Sequence, residues 1–245
     1  MKIILCGASG RMGKVVAETV STGFGGAEMA AAVDVSLPAS DCPCYTSLAD
    51  VREDADVLVD FSHHSATDSI LGFCLQHRIP AVIATTGQTA DEKEKIRAAA
   101  QDIPIFFSGN MSIGIALLIS LAKKAASIFP DADVEIIETH HHNKLDVPSG
   151  TALMIAEGIR DARDNGTILV GRHENGKRPS GEIGVHSLRL GNVIGEHEII
   201  LDTGTQTITL SHKAQSRALF AEGALTAAVF LCEKKNGLWN VNDLL

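Results

Sequence analysis

The chain opens on an apolar run, KIILCG (2–7), that stops at a glycine, and GASGRMG then sets glycines at 7, 10 and 13 ahead of a helical pattern over 11–22. A buried strand that ends in a glycine-rich turn and feeds a helix is the opening of a βαβ unit. The same grammar repeats. EMAAAVD (28–34), DVLVDFS (56–62), PAVIATTG (80–87) and IPIFFSGN (103–110) read as strands, and 65–77 and 89–101 as the helices between them. Strands alternating with helices predict an α/β fold, here a Rossmann-type, doubly wound parallel sheet. Each strand ends in a small or polar residue (Gly7, Asp34, Ser62, Thr85, Ser108), at the end of the sheet where such folds bind ligands.

Beyond about Ser112 the pattern changes. A long helix over 112–129 leads into the strand DVEIIETH, then a polar loop and a helix over 151–163. GEIGVHSLRLG, HEIILDTG and TQTITLSHKA follow as strands. This predicts a C-terminal α+β domain with a mixed sheet whose strands are expected to be largely antiparallel. The expected organisation is a dinucleotide-binding domain over 1–111, a substrate and oligomerisation domain over 112–215, and a return of 216–245 to the first, led by a helix over 216–233.

Charge and cysteine usage narrow the partners. The 245 residues carry a formal charge of −9, a poor match to nucleic acid or an anionic membrane surface. No apolar stretch reaches the ~18 residues of a membrane span. The early glycines make the start a strand and turn rather than a targeting segment, and the cytoplasm is the expected location. Five scattered cysteines do not form a disulfide framework, and Cys42-Pro-Cys44 is one residue short of the CxxC spacing.

The glycine turn brings the backbone close to a pyrophosphate resting on helix amides. Its GxxGxxG spacing is less specific than GxGxxG. Asp34 adds to it, because it ends the second strand about 20 residues past the last glycine, where a carboxylate accepts from a ribose diol. Candidate dinucleotide contacts are therefore Gly7, Ala8, Ser9, Gly10, Arg11, Met12 and Asp34, for NADH or NADPH. Val35 and Ser36 offer a 2′-phosphate no cation, which leans toward NADH, although Arg11 could still meet one. The polar strand ends Ala84-Thr85-Thr86 and Ser108-Gly109-Asn110-Met111 suit the nicotinamide side.

EIIETHHHNKLDVPSGT (135–151) holds three consecutive histidines. Zinc is disfavoured, because adjacent side chains diverge, one carboxylate (Glu138) is near and no cysteine is, so no metal is expected. A solvated polar loop is one alternative. Acid–base chemistry is the other: His140 or His141 titrates near working pH, Lys144 supplies a cation, and Pro148-Ser149-Gly150-Thr151 opens a helix whose amides suit a carboxylate.

The blocks GASGRMG, VDFSHHSAT, ATTG, SGNMSIG, EIIETHHHNKLDVPSGTA, HSLRLGNVIGEH and LSHKAQSR together resemble the 4-hydroxy-tetrahydrodipicolinate reductase (dihydrodipicolinate reductase) family, in family order over nearly the whole chain. The resemblance implies NADH- or NADPH-dependent reduction of a cyclic hydroxy-dicarboxylate imine, with loss of water, in lysine biosynthesis through diaminopimelate. It implies His140 as general acid/base, Lys144 as proton donor, and His141, Gly150 and Thr151 as holders of the substrate's carboxylates. It also implies a homotetramer joined through the second domain's sheet. His142 and Asn143 fall at variable positions, which makes the third histidine peripheral, and His64 stands where proline is frequent. The alternatives are another Rossmann-type amino-acid or sugar dehydrogenase, or a non-catalytic NAD-binding redox sensor. Both keep the nucleotide turn, and neither needs the HH-x-x-K and PSGT combination.

Overall fold

The computed structural model describes residues 1–37, 39–163 and 166–245. They form two compact units, Met1–Ile113 with Arg217–Leu245, and Gly114–Ser216. Among the described residues, no helix is long and apolar enough to cross a membrane.

The first unit is built on strands β1 (Lys2–Cys6), β2 (Glu28–Val33), β3 (Cys44–Tyr45), β4 (Val57–Asp60), β5 (Ala81–Ile83), β6 (Pro104–Phe107) and β12 (Gly237–Trp239). Their order is β12-β6-β5-β4-β1-β2-β3, every pairing parallel. β1 lies between β2 and β4, so the chain reverses direction across the sheet there, and a crevice opens outside the ends of β1 and β4. β4 and β5 are buried along their whole length, as strands covered on both faces must be.

The helices of this unit are α1 (Arg11–Ser21), α2 (Thr67–His77), α3 (Ala90–Ala99) and α6 (Ala218–Cys232). Ile70, Leu71 and Cys74 of α2 and Ile96 and Ala99 of α3 pack on Ile4, Leu58, Ile83 and Ile105 of the strands. α3 starts on a capping box, with Thr89 and Glu92 each satisfying the other's backbone N–H. α6 packs against α1, β4, β5 and β6, which covers the sheet with the chain's C-terminal segment. β3 and β12 were not expected from sequence; each is a two- or three-residue edge strand.

The second unit holds β7 (Asp133–His140), β8 (Thr167–Val170), β9 (Glu182–Arg189), β10 (Glu196–Asp202) and β11 (Thr207–Lys213), in the order β11-β10-β7-β9-β8. Its helices are α4 (Ile113–Ile128), whose first residue belongs to the other unit, and α5 (Gly150–Asp161). The sheet is mixed, as expected, but the expectation of largely antiparallel strands needs correction. β10 is antiparallel to both β7 and β11, whereas β9 runs parallel to β7 and to β8. β8 was also missed. Burial alternates along β7, so Val134 and Ile136 face α4 and α5 with Ile155, Ile159, Ile183, Val185, Ile199 and Leu201. Glu138 and His140 continue that buried face to the end of the strand.

Candidate active site

The turn after β1 is held by its glycines. Gly7 takes φ +78°, and a Cβ there would strike the Phe61 carbonyl and lie 2.7 Å from the Ser62 Cα. Gly7 and Ala8 donate to the Val33 carbonyl at 2.9 and 3.3 Å, which seats the turn on the end of β2. A Cβ on Gly13 would strike the Gly7 carbonyl and sit 2.7 Å from the Ala8 Cα, so only glycine lets α1 approach this closely. α1 begins at Arg11 with Gly10 as N-cap, no side-chain cap and no acidic residue in its first turn. An uncapped positive helix end suits an anion.

Asp34 reaches back to this turn. Its Oδ2 accepts from the Ser9 amide at 3.0 Å and its Oδ1 from the Ser36 amide at 3.1 Å. The carboxylate thus fixes the loop while retaining lone pairs for further donors. Beside it lies a cleft of about 620 Å³, bounded by Gly7, Gly10, Asp34, Leu48, Ser62 and Phe73 among others.

The other two predicted loops also lie at strand ends of this sheet. Ala84 donates its amide to the Asp60 carbonyl at 3.0 Å; Thr85 is buried and Thr86 exposed. Ser108 Oγ donates to the Asn110 carbonyl at 2.7 Å, and Asn110 Oδ1 accepts from the Ser112 amide at 2.8 Å. Gly109 is exposed and Met111 buried, its backbone against α6, where a Cβ on Gly223 would strike the Met111 carbonyl.

In the second unit, the end of β7 concentrates charge. Glu138 is fully buried and shares a hydrogen bond with Nδ1 of His140. Its carboxylate also accepts from Arg189 Nη2 at 2.9 Å, Arg189 Nη1 at 3.1 Å and the Ser149 amide at 3.2 Å. Burial alone would push this carboxyl up. The hydrogen bonds from His140 and Arg189 outweigh it and hold Glu138 down at about 2.

His197 packs edge-on to His140, ring centroids 5.3 Å apart, with its Nε2 3.4 Å from Ser149 Oγ. Burial, then the neighbouring His140 charge, lowers His197 to about 4, which keeps it neutral. Ser149 caps α5, its Oγ accepting from the Ala152 amide at 3.1 Å.

The predicted substrate residues adjoin this cluster in sequence, next to His140 and Ser149. His141 and Thr151 are half-buried, and Gly150 is exposed at the first position of α5. Lys144 pairs with Asp146 at 2.9 Å, while Arg189 Nη2 donates to the Asp146 carbonyl at 2.7 Å. His142 is exposed, its amide donating to the Gly191 carbonyl at 3.1 Å. Among the described residues, no group of three or more His, Cys, Asp or Glu is disposed to hold a metal ion.

Sequence reasoning missed Arg189, His197 and Asp146, and weighed Glu138 only as a metal ligand. The signal for Glu138 was present, since residues i and i+2 of a strand share a face. Arg189 and His197 come from other strands and needed the sheet register.

Residues 1–111 match the family model for the dihydrodipicolinate reductase N-terminus, and 114–245 that for its C-terminus. A 4-hydroxy-tetrahydrodipicolinate reductase of Caldanaerobacter subterraneus subsp. tengcongensis is 43% identical, over all of this chain and 98% of that protein. The Clostridium novyi reductase of the same name is 38% identical over the same shares. A solved dihydrodipicolinate reductase from Paenisporosarcina superposes with a TM-score of 0.84 at 28% identity, covering 100% of this chain and 99% of that one. With both halves matched and full-length relatives well above 30% identity, the chain belongs to the dihydrodipicolinate reductase (4-hydroxy-tetrahydrodipicolinate reductase) family.

Proposed function

We propose that this reductase takes a small, cyclic, unsaturated dicarboxylate formed by dehydration of a hydroxy-imine and reduces it to tetrahydrodipicolinate, a step toward diaminopimelate and lysine. The observation that carries the reading is the ionised, buried Glu138 hydrogen-bonded to His140, on the strand that runs into Lys144 and the capped start of α5. A histidine so held exchanges protons, and Lys144 with the Gly150-Thr151 amides attracts carboxylates. The Paenisporosarcina relative was solved with dipicolinate bound, itself a ring carrying two carboxylates.

The cofactor is NADH or NADPH, with NADH favoured. The residues fit it: Gly7 and Gly13 let the turn and the start of α1 pack tightly together, α1 presents an uncapped N-terminus, and Asp34 follows β2 beside the cleft. When bound, the reduced nicotinamide supplies hydride to ring carbon 4 of the substrate. The turn from Gly7 to Met12 holds the pyrophosphate, Asp34 accepts from the adenosine ribose, and Ala84 to Thr86 with Ser108 to Met111 contact the nicotinamide half. His140 serves as acid/base, the proton for the neighbouring ring carbon comes from His140 or Lys144, and His141, Gly150 and Thr151 hold the carboxylates.

A homotetramer joined through the five-stranded sheet and a cytoplasmic location complete the proposal. Ile137, partly exposed, and Leu188, 46% exposed, lie on strands of that sheet and support its use in association. The test is an assay coupled to the synthase that makes the hydroxy-imine. Stoichiometric loss of NADH absorbance on adding that product is expected. Tight NADH binding without turnover would instead favour a nucleotide sensor.

A further inference from the structure

The arrangement at the end of β7 assigns a role to a residue outside the catalytic pair. We infer that Glu138, clamped by Arg189, is a positioning residue that holds His140 with a proton on Nδ1 and leaves Nε2 as the atom that exchanges protons with substrate. This rests on the reading of His140 as the acid/base.

The hydrogen-bond inventory argues it. The Glu138 carboxylate is ionised at neutral pH, with burial opposing and the bonds from His140 and Arg189 securing the charge. An ionised carboxylate only accepts, so the shared hydrogen must sit on Nδ1 of His140. Neutral His140 is then the Nδ1–H tautomer, with a lone pair on Nε2. Protonated His140 carries its mobile proton on Nε2. When that proton leaves, the Nε2–H bond breaks, the substrate gains it, and the imidazole keeps Nδ1–H on a Glu138 that stays ionised. Glycine at 195 avoids crowding Nε2 of the buried His140, since a Cβ there would stand 3.1 Å from it.

The clamp also has reach. Arg189 grips both carboxylate oxygens and the Asp146 carbonyl, and the Ser149 amide donates to Oε1. One carboxylate therefore orients His140 and anchors both flanks of the loop holding Lys144 and the α5 start. The charged and titratable groups around His140 are Glu138 on β7, Arg189 on β9, His197 on β10, His212 beside His197 on β11, and Lys144 on the loop. Buried His197 stays neutral, so the Glu138 charge acts on His140 without a second imidazolium against it.

The test combines kinetics with 15N NMR of histidine-labelled full-length enzyme, the His140 signals assigned by their absence in His140→Gln. Wild type is expected to show neutral His140 protonated on Nδ1. Glu138→Gln should mix the tautomers and lower kcat on the order of 10²- to 10⁴-fold, with KM changed less than about threefold. Glu138→Asp should recover part of kcat. A wild-type His140 protonated on Nε2 when neutral overturns the inference, and this readout needs no variant of Glu138 to fold. A folded Glu138→Gln enzyme with wild-type kcat, or with reduced kcat but an unchanged His140 tautomer, overturns it as well. If His140→Gln itself keeps full turnover, the acid/base reading beneath the inference has failed instead.

Discussion

Ser149 donates its backbone N–H to Oε1 of Glu138 at 3.2 Å, which ties the N-cap of α5 to the carboxylate near the end of β7. The helix start offered to a carboxylate and the histidine offered to a proton are thus parts of one hydrogen-bonded unit. The first prediction follows from that link. Ser149→Ala removes the cap on Ala152 and the contact to His197 Nε2, and should cost about 1 kcal/mol of stability. Substrate KM should rise more than kcat falls, because the amides of α5 lose their support. Denaturant titration and initial-rate kinetics measure the two effects.

Stability should fall in acid through two windows. His197 is at about 4 when folded and near 6.5 when unfolded, so between those values only the unfolded chain takes up the proton, and stability drops as pH falls. Full development of that shift is on the order of 3 kcal/mol. Glu138, at about 2 folded against 4.5 unfolded, adds to the loss below pH 4.5 in the same direction. Urea midpoints measured from pH 7 to 4 should decline, and His197→Gln should flatten that decline. An equally steep curve in the variant would remove His197 from the account.

Gly13→Ala pits two effects against each other. Alanine inside a helix gains about 0.5–1 kcal/mol over glycine. Here the new Cβ meets backbone, the Gly7 carbonyl and the Ala8 Cα, which cannot swing aside. Overpacking costs about 1–3 kcal/mol, so the clash should win and the melting temperature fall by several degrees. NADH affinity should drop with it, since the turn must shift to admit the methyl group.

Asp34→Ala should weaken NADH about tenfold while changing NADPH less, because the carboxylate suits a free 2′-hydroxyl and repels a 2′-phosphate. Asp34 also holds the Ser9 and Ser36 amides, so some loss for both cofactors is expected. The ratio of the two dissociation constants, followed by nucleotide fluorescence, isolates the recognition role. Equal weakening of both would leave Asp34 only its part in the loop.

Much of this was legible before the fold was known, and the gaps have physical causes. Strands such as β1 and β4 are covered on both faces, so each is an unbroken apolar run ending at a small or polar residue. β3 and β12 hold two and three residues, too few for any period to show. In the second sheet, alternation reported one covered face but not strand direction, so the parallel partners of β9 were read wrongly. His140, Lys144 and Gly150-Thr151 stood out because they share one loop. Arg189 lies 51 residues from Glu138 and His197 lies 48 from Ser149, and only the sheet register unites them.

The most direct measurement of the central claim is the synthase-coupled assay run on wild type, His140→Gln and Lys144→Ala, with NADH and NADPH compared. Wild type should turn over with both cofactors and better with NADH. Each variant should lose on the order of 10²-fold or more in kcat/KM while binding NADH as tightly as wild type. Full turnover in both variants would contradict the assignment of proton chemistry to this loop.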